Sequence, residues 1–474
     1  MFFAASLGTF IVVIDQSATS IVTPTIAEHF KIDIPTSQWI TLVYILSVTA
    51  LMMPAGVIAD TIGRKKVWIF GLLIFSLASL ITSMATNLFF VLMGKISMGI
   101  GAAGVQANGV AIVGEVFPDS ERGKAMGLHM SVVGVGAVGG QLVGGIIESL
   151  FGWRAIYVFM FGFGLLAMFV ASFLLKKDQE SNVRESTLAN LDWLGTILSA
   201  AFLSLFILTI NFANKIGWSS IYIISSFIIS IAIFIIFIAW ENFYSNPMLP
   251  LQIFKRKMFS LGSLARGLCF TASSFSNLLL PFYLISVIGM PTNEAAMLLI
   301  PRAACLVIFG PISGKIADKI GTSIPAFIGM LMSTIAMAIY FSVTLESHII
   351  VIIIASTLEG LGIAIFMAPN SSAIMGSAGR IYYGIVSAFL NLTRNAGHIF
   401  GIALPALIVA STMSSLGYDP DLSDIEKLKD IGLRQAYVTA MNKAFFIAMI
   451  ITICTGALSL FVKQSNAITQ TENS

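Results

Sequence analysis

The chain has 474 residues, of which 57% are hydrophobic and only 10% are charged, and its formal net charge is +3. A soluble domain has about 25% charged residues, so this composition excludes an ordinary water-soluble protein and indicates a protein embedded in lipid. The small net charge, without long basic runs, also argues against a nucleic-acid partner.

Apolar runs long enough to cross a bilayer follow one another along the chain. About 20 apolar residues span the hydrocarbon core, and this criterion predicts fourteen helices. The predicted spans cover residues 3–24, 38–59, 67–86, 88–114, 123–147, 153–175, 192–212, 219–240, 259–287, 293–317, 322–344, 348–370, 381–412 and 436–462. We therefore expect an all-α membrane protein in contact with the lipid bilayer.

An eight-residue phrase occurs twice, after the second predicted span and after the tenth. Residues 56–63 return as residues 314–321, with six of eight positions identical. A charged turn duplicated at this distance predicts two related halves, each a bundle of membrane helices. Two six-helix halves alone would place the second copy after the eighth span, so two extra helices must lie between them.

The predicted arrangement is therefore six plus two plus six helices. The predicted domains are an N-terminal six-helix bundle at 1–175, two linker helices with flanking loops at 176–258, a C-terminal six-helix bundle at 259–462 and a cytoplasmic tail at 463–474.

Lysine and arginine indicate the orientation of the chain in the membrane. They concentrate in alternate loops, for example at 64–66 and 255–257, and such loops face the cytoplasm. This pattern predicts that both termini are cytoplasmic. The expected location is the plasma membrane of a bacterium or an archaeon.

The first copy of the phrase continues into a basic run, so that residues 56–66 read G-x-x-A-D-x-x-G-R-K-K. Gly56 and Gly63 permit a close approach of helices and a sharp turn. Asp60 can accept hydrogen bonds from the N-terminus of a neighbouring helix. The phrase resembles the signature of the major facilitator superfamily.

Further stretches resemble the 14-span drug:proton antiporter family within that superfamily. Asp15 precedes Pro24 by nine residues, as in the first helix of the family, and residues 92–103 resemble its fourth helix, with Lys95 where Arg is usual. The fifth span resembles the antiporter motif, with Gln141 in place of the usual Pro. This resemblance implies the major facilitator fold, energy from a proton gradient, and no bound cofactor.

The motif of the fifth span is rich in glycine, and its residues are Gly136, Gly140, Gln141, Gly144 and Gly145. Glycine at this spacing lets helices touch backbone to backbone, and the same glycines can alternatively serve as a hinge. A proline would remove one backbone donor and favour a kink. Gln141 therefore predicts a straighter helix, with a side chain that reaches a neighbouring helix or the cavity.

Charges at the inner ends of the first-half helices predict a cytoplasmic latch. Glu115 and Arg122 match the E-x6-R spacing of the superfamily, and we expect a charge network between them and Arg64. In the second half, residues 322–324 are Thr-Ser-Ile rather than basic. We therefore predict a one-sided latch built on the first half. Its residues are Gly56, Asp60, Gly63, Arg64, Glu115 and Arg122, with Asp318 as the counterpart of Asp60 in the second half.

Ionisable side chains inside membrane spans are energetically unfavourable, so each one is interpreted first as a functional residue. Asp15 lies about 13 Å and Lys95 about 12 Å of helix rise from the outer ends of two oppositely directed spans, so the two side chains can pair. Such a pair can couple the binding of a proton at the carboxyl group to another event in the transport cycle. The alternative is a structural pair that moves no protons. Glu359 is a further candidate for proton coupling.

Polar residues in other spans are candidates to line a cavity at the midplane between the halves. Three of them share one span at helical spacing. The candidates are Gln106, Asn277, Arg302, Asn391, Arg394 and His398. The four histidines of the chain are too scattered to indicate a metal or catalytic site, and neither is expected.

These features favour a secondary transporter that exports amphipathic drugs or toxic compounds in exchange for protons. An exporter of an anionic metabolite or lipid-like compound is the alternative, since basic residues outnumber acidic ones within the spans. An intramembrane enzyme would need a convergent nucleophile or metal cluster, and a channel would not require a latch. The expected partners are protons and a small amphipathic substrate, and the expected state is a monomer.

Overall fold

The computed structural model describes residues 2–32, 34–174, 192–217, 220–244, 247–379, 382–418 and 431–462. The predicted tail at 463–474, and residues 176–191 at the start of the predicted linker region, lie outside these ranges. The described residues form helices and contain no strand. Their α-helices are α1 (Phe2–Phe30), α2 (Ile34–Ile62), α3 (Arg64–Ser83), α4 (Leu88–Val116), α5 (Arg122–Phe151), α6 (Trp153–Leu174), α7 (Trp193–Ile216), α8 (Ile221–Phe243), α9 (Lys257–Phe282), α10 (Thr292–Ile320), α11 (Ser323–Phe341), α12 (Ile349–Ala378), α13 (Tyr383–Ser415) and α14 (Ile431–Leu460).

The fourteen helices are long and apolar enough to cross a membrane. Each corresponds to one predicted span, and several extend beyond the predicted ends into more polar sequence. A π-helical segment at Tyr283–Val287 follows α9, and short 3₁₀ turns precede α5 and α9 at Asp119–Glu121 and Leu251–Lys255.

The helices belong to two compact units. The first unit comprises Met1–Pro118, Ser131–Gln252 and Gly379–Asn395, and the second comprises Asp119–Met130, Ile253–Ala378 and Ala396–Ser474. The start of α13 is thus part of the first unit, and the start of α5 is part of the second. The division at 175 and 259 stays a prediction from the sequence repeat.

Both copies of the repeated phrase end in the same kind of turn. Gly63, between α2 and α3, has a φ of 106°, and Gly321, between α10 and α11, has a φ of 89°. Only glycine adopts this region without a steric penalty from a Cβ atom. The duplicated glycine therefore has a conformational role in each half.

Neighbouring helices also cross at glycine in the same way in both units. In the first unit, a Cβ atom on Gly101 of α4 would lie 2.5 Å from the backbone nitrogen of Phe75 on α3. In the second unit, a Cβ atom on Gly362 of α12 would lie 2.5 Å from the carbonyl oxygen of Gly329 on α11. Small residues thus set the spacing of both pairs, as is common in membrane helices.

Candidate functional site

A buried ion pair joins α1 and α4 in the first unit. Lys95 Nζ lies 2.9 Å from Asp15 Oδ1 and 3.2 Å from Asp15 Oδ2, and it donates to Thr19 Oγ1 at 2.7 Å. Asp15 and Lys95 are both 0% exposed. The pairing that the two predicted depths allowed is therefore present, and all three ammonium donors have acceptors.

Two tyrosine rings flank this ion pair. Lys95 Nζ lies 5.2 Å from the ring centroid of Tyr44 and 4.9 Å from that of Tyr157. Aromatic faces attract a cation, so these rings stabilise the ammonium group where water is absent. Either charge alone would be costly in such an enclosure, and the site is stable only when both charges or neither is present.

A second buried ion pair joins α10 and α12 in the second unit. Arg302 Nη2 lies 3.0 Å from Glu359 Oε1, and Glu359 is 0% exposed. Ser276 Oγ donates to Glu359 Oε1 at 2.7 Å, and Arg302 Nη1 donates to Asn277 Oδ1 at 2.8 Å. The structure thus brings together three predicted residues that the sequence had not connected.

Breaking this second pair is expected to destabilise the protein more than removing it entirely. Glu359→Gln would leave the Arg302 guanidinium without its counter-charge, a loss of about 3 kcal/mol for a buried pair. We expect a lower melting temperature for Glu359→Gln than for Glu359→Gln combined with Arg302→Gln, measured on purified protein in detergent. A double variant less stable than the single one would contradict this account.

A polar cluster links α4, α13 and α2 in the first unit. Arg394 Nη2 donates to Gln106 Oε1 at 3.0 Å, and Asn391 Nδ2 donates to the Gln106 carbonyl oxygen at 3.0 Å. Asn395 Nδ2 donates to Thr49 Oγ1 at 3.2 Å. Three predicted cavity residues therefore share one cluster.

His398 has separate neighbours in the second unit. Its Nδ1 lies 2.7 Å from Ser274 Oγ on α9, and its ring centroid lies 5.0 Å from that of Phe270. Within the described part of the chain, no group of three or more His, Cys, Asp or Glu residues could hold a metal ion.

Asp60, in the first copy of the repeated phrase, caps the start of α13. Asp60 Oδ1 accepts from the backbone N–H of Gly384 at 3.0 Å, and Oδ2 accepts from that of Ile385 at 3.1 Å. These N–H groups belong to the first turn of α13, where they lack intrahelical partners and favour a negative charge. A Cβ atom on Gly56 would lie 2.8 Å from the Gly384 carbonyl oxygen, so glycine is needed for this approach.

Arg64 extends this capping contact into a charge network. Its Nη2 donates to Asp60 Oδ1 at 2.7 Å, its Nη1 pairs with Glu115, and its Cζ lies 5.8 Å from the ring centroid of Tyr383. Arg122 is buried in the second unit, and its participation in the network stays a prediction.

The second copy makes the same capping contact, which corrects the expectation of a one-sided latch. Asp318 Oδ1 accepts from the backbone N–H of Gly123 at 2.7 Å, and Oδ2 accepts from that of Lys124 at 2.9 Å, at the start of α5. Asp60 and Asp318 therefore act alike. The asymmetry lies in the Arg64 ion pairs, because residues 322–324 supply no arginine.

Both capping carboxylates are expected to matter for transport. Asp318→Ala would leave two N–H groups of α5 without acceptors, and Asp60→Ala would leave two of α13 and also unbalance Arg64. We expect each variant to lower the initial transport rate several-fold, and Asp60→Ala to lower it more. Rates in proteoliposomes of equal protein content would measure this. Lys319→Ala is the control because Lys319 is exposed next to Asp318. A wild-type rate for Asp318→Ala would contradict the expectation.

The glycines of α5 form a seam with α1 in the first unit. A Cβ atom would lie 2.8 Å from Ser17 Cβ if placed on Gly140, 2.8 Å from Ala18 Cβ if placed on Gly144, and 3.1 Å from Val13 Cβ if placed on Gly136. A Cβ atom on Gly145 would meet nothing within 4 Å. Of the predicted motif glycines, Gly145 is therefore not part of the close contact with α1, because a Cβ atom placed on it would meet open space.

Gln141 lies within the uninterrupted helix α5. Its side chain is exposed, and its reach to a neighbouring helix or to the cavity stays a prediction.

Several site residues were missed by the sequence analysis. Thr19 carried a usable signal, since it follows Asp15 by four residues and so shares its helix face. Tyr44, Tyr157 and Ser276 carried none, because their positions depend on how separate helices pack.

In the described part of the chain, fourteen helices long and apolar enough to cross a bilayer, with a buried ion pair in each unit, define the class of polytopic membrane proteins. Sequence comparison assigns the class. The family described as Major Facilitator Superfamily matches residues 5–402. The chain therefore belongs to the major facilitator superfamily, whose members are transporters and not enzymes, and the predicted fold is confirmed.

Individual relatives agree with this assignment. The chain is 30% identical over 445 residues to the riboflavin transporter RibZ of Clostridioides difficile, covering 93% of this chain and 92% of the relative. It is 24% identical to the multidrug resistance protein Stp of Mycobacterium tuberculosis, covering 87% and 76% of the two chains. The crystal structure of the Escherichia coli fucose:proton symporter FucP superposes with a TM-score of 0.65 at 14% identity, covering 98% of each chain.

Proposed function

We propose that this protein is a secondary transporter that exports amphipathic compounds in exchange for protons, with Asp15 and Lys95 as the coupling pair. The observation that carries the proposal is the fully buried contact of Asp15, Lys95 and Thr19. Intramembrane ionisable residues commonly mark ion pathways. Similarity to the multidrug resistance protein Stp supports drug-like compounds as cargo.

The pair provides a physical link between proton binding and conformation. A proton on Asp15 neutralises the carboxylate and removes the counter-charge of Lys95. The remaining ammonium group is then costly in a buried site, so the protonated protein favours a different arrangement of α1 and α4. Release of the proton to the other side restores the pair. One cycle thus moves a proton inward and a substrate outward.

The two capping carboxylates have a second role in this proposal. Asp60 and Asp318 hold the starts of α13 and α5 at the side that the basic loops assign to the cytoplasm. Hydrogen bonds from a carboxylate to helix N–H groups can be broken and replaced by water when that side opens. We propose that both caps are broken and remade in each cycle.

Transport of a flavin-like heteroaromatic compound is the second candidate. It is favoured by the 30% identity to the riboflavin transporter RibZ over nearly the full length of both chains. Export of an anionic metabolite or lipid-like compound is the further alternative. These candidates share the fold and differ in cargo and direction.

Reconstituted protein tests the proposal. Proteoliposomes with an acidic interior would be supplied with rhodamine 6G, fluorescein or riboflavin, and protein-free liposomes would serve as blanks. We expect the pH gradient to drive dye accumulation, and a protonophore or Asp15→Asn to abolish it. Dye uptake that does not depend on the pH gradient would overturn proton coupling. Uptake of riboflavin alone would favour the second candidate.

A further inference from the structure

We propose that Arg394 and Gln106 receive an anionic oxygen group of the transported compound. This inference deepens the proposed function and rests on it, because it names the chemical class of the substrate. The two side chains touch through Arg394 Nη2 and Gln106 Oε1 at 3.0 Å. Each retains donors that this contact does not use.

Arg394 differs from the other paired cations of the spans in what faces it. Lys95 pairs with Asp15 and Arg302 with Glu359. For Arg394, no Asp or Glu side chain in the described ranges lies within 4.0 Å, and the contact that it makes is to a neutral amide. A cation without counter-charge is costly within a membrane unless it faces a wet interior. An anionic group of the cargo would supply the missing charge.

Gln106 is the second and independent observation. It is 6% exposed, and its Nε2 is buried without a hydrogen-bond partner among the described residues. A buried donor without an acceptor destabilises a protein, so such donors normally have acceptors. With Oε1 held by Arg394, the amide presents its unused N–H groups beside the guanidinium. The cluster is thus rich in donors and lacks an acidic acceptor.

The position of this cluster suits a substrate site. Arg394 is about 16 Å of helix rise from the start of α13, and Gln106 is about 15 Å from the end of α4, so both are near the middle of a bilayer about 30 Å thick. Arg394 is half-buried, so part of its surface is open. Hydrogen bonds join α13 to α4 through Asn391 and to α2 through Asn395. These contacts hold the guanidinium of Arg394 in place.

The chemistry selects one class of ligand. A planar guanidinium donates two parallel hydrogen bonds to a carboxylate or a similar two-oxygen group, and an adjacent amide N–H adds a third donor. A permanent cation would be repelled by Arg394. The preferred cargo is therefore an aromatic or amphipathic compound that carries a carboxylate or an ionised ring oxygen.

Two xanthene dyes of opposite charge test this assignment by direct binding to purified protein. Fluorescein is anionic and rhodamine 6G is cationic, on closely similar ring systems. We expect fluorescence anisotropy to show tighter binding of fluorescein by the wild-type protein. Gln106→Glu would place an internal counter-ion against Arg394, and we expect it to weaken fluorescein binding at least tenfold without weakening rhodamine 6G binding. Arg394→Lys should retain more fluorescein affinity than Arg394→Gln.

The outcomes separate this inference from the proposed function. Absent fluorescein binding by the wild-type protein, or a fluorescein affinity in both Gln106→Glu and Arg394→Gln equal to that of the wild type, would overturn the Arg394 site, even where a pH gradient drives rhodamine 6G transport. Binding lost in both variants, together with no response of either dye to the gradient, would support the site and overturn proton coupling. Because Gln106→Glu is nearly isosteric, its melting temperature identifies any loss of binding caused by misfolding.

Discussion

Asp15→Asn is expected to abolish transport driven by a proton gradient while leaving dye binding intact. Asn has nearly the same shape as Asp but cannot release or bind the coupling proton. It would also leave Lys95 without its counter-charge in a site that is 0% exposed. The protein would then remain in the arrangement that follows protonation, and added protons would change nothing.

Dye flux in proteoliposomes at several gradients measures this effect, and dye binding shows whether the substrate site survives. Glu148→Gln is a matched control, because Glu148 is another carboxylate between α1 and α5 and accepts from Thr25 at 2.8 Å. We expect that variant to keep its response to the gradient. Wild-type flux and pH dependence in Asp15→Asn would remove Asp15 as the coupling residue.

The combined variant Asp15→Asn with Lys95→Met separates coupling from structure. Breaking a buried pair by removing one partner costs about 3–5 kcal/mol, whereas replacing both partners is often nearly neutral. We expect the double variant to regain thermal stability relative to Asp15→Asn but not gradient-driven transport. Recovery of coupled transport in the double variant would establish the pair as a structural one.

Lys95 is expected to act through its charge. Lys95→Arg keeps a cation beside Asp15 and should retain more gradient-driven flux than Lys95→Met, although the larger guanidinium must fit between the rings of Tyr44 and Tyr157. Initial rates at matched protein content measure the difference. Equal rates for the two variants would reduce Lys95 to a packing residue.

The fold was predictable because a membrane span can be recognised from one continuous stretch of sequence. A run of about 20 apolar residues identifies a span wherever its neighbours lie. The ends were less predictable, as α12 illustrates: it was expected to end near residue 370 and continues to Ala378. Asn370, at the predicted end, donates to the Gly262 carbonyl oxygen, and Ser371, just beyond it, accepts from Arg266.

The site was predictable where depth alone decides a contact. Asp15 and Lys95 lie at equal depths on oppositely directed helices, and the structure pairs them. Arg302 and Glu359 also pair, but their contact depends on the rotation of α10 and α12 about their axes, which a single sequence does not reveal. Asp318 was underestimated for another reason. It occupies the position of Asp60 in the repeated phrase, but the absence of basic residues at 322–324 suggested a weaker role, whereas its two acceptor contacts with backbone N–H groups need no arginine.

Leucine at Gly144 is expected to abolish transport, and leucine at the adjacent Gly145 is not. A Cβ atom on Gly144 would lie 2.8 Å from Ala18 Cβ and 3.0 Å from Ala18 Cα, whereas one on Gly145 would meet nothing within 4 Å. Both variants add the same side chain to the same helix, so helix propensity and hydropathy change equally. The difference between them measures the contact of α5 with α1.

Steric conflict at Gly144 would separate α5 from the helix that carries Asp15. Smaller substitutions test this cause: Gly144→Ala should lower the transport rate, and Ala18→Gly should restore part of it by removing the opposing Cβ atom. Flux in proteoliposomes and melting temperature would be measured for the four single variants and for the Gly144→Ala, Ala18→Gly pair. If Gly144→Leu transported at the wild-type rate, or if Gly145→Leu lost as much activity, the seam of Gly136, Gly140 and Gly144 would not be what positions α5 against α1.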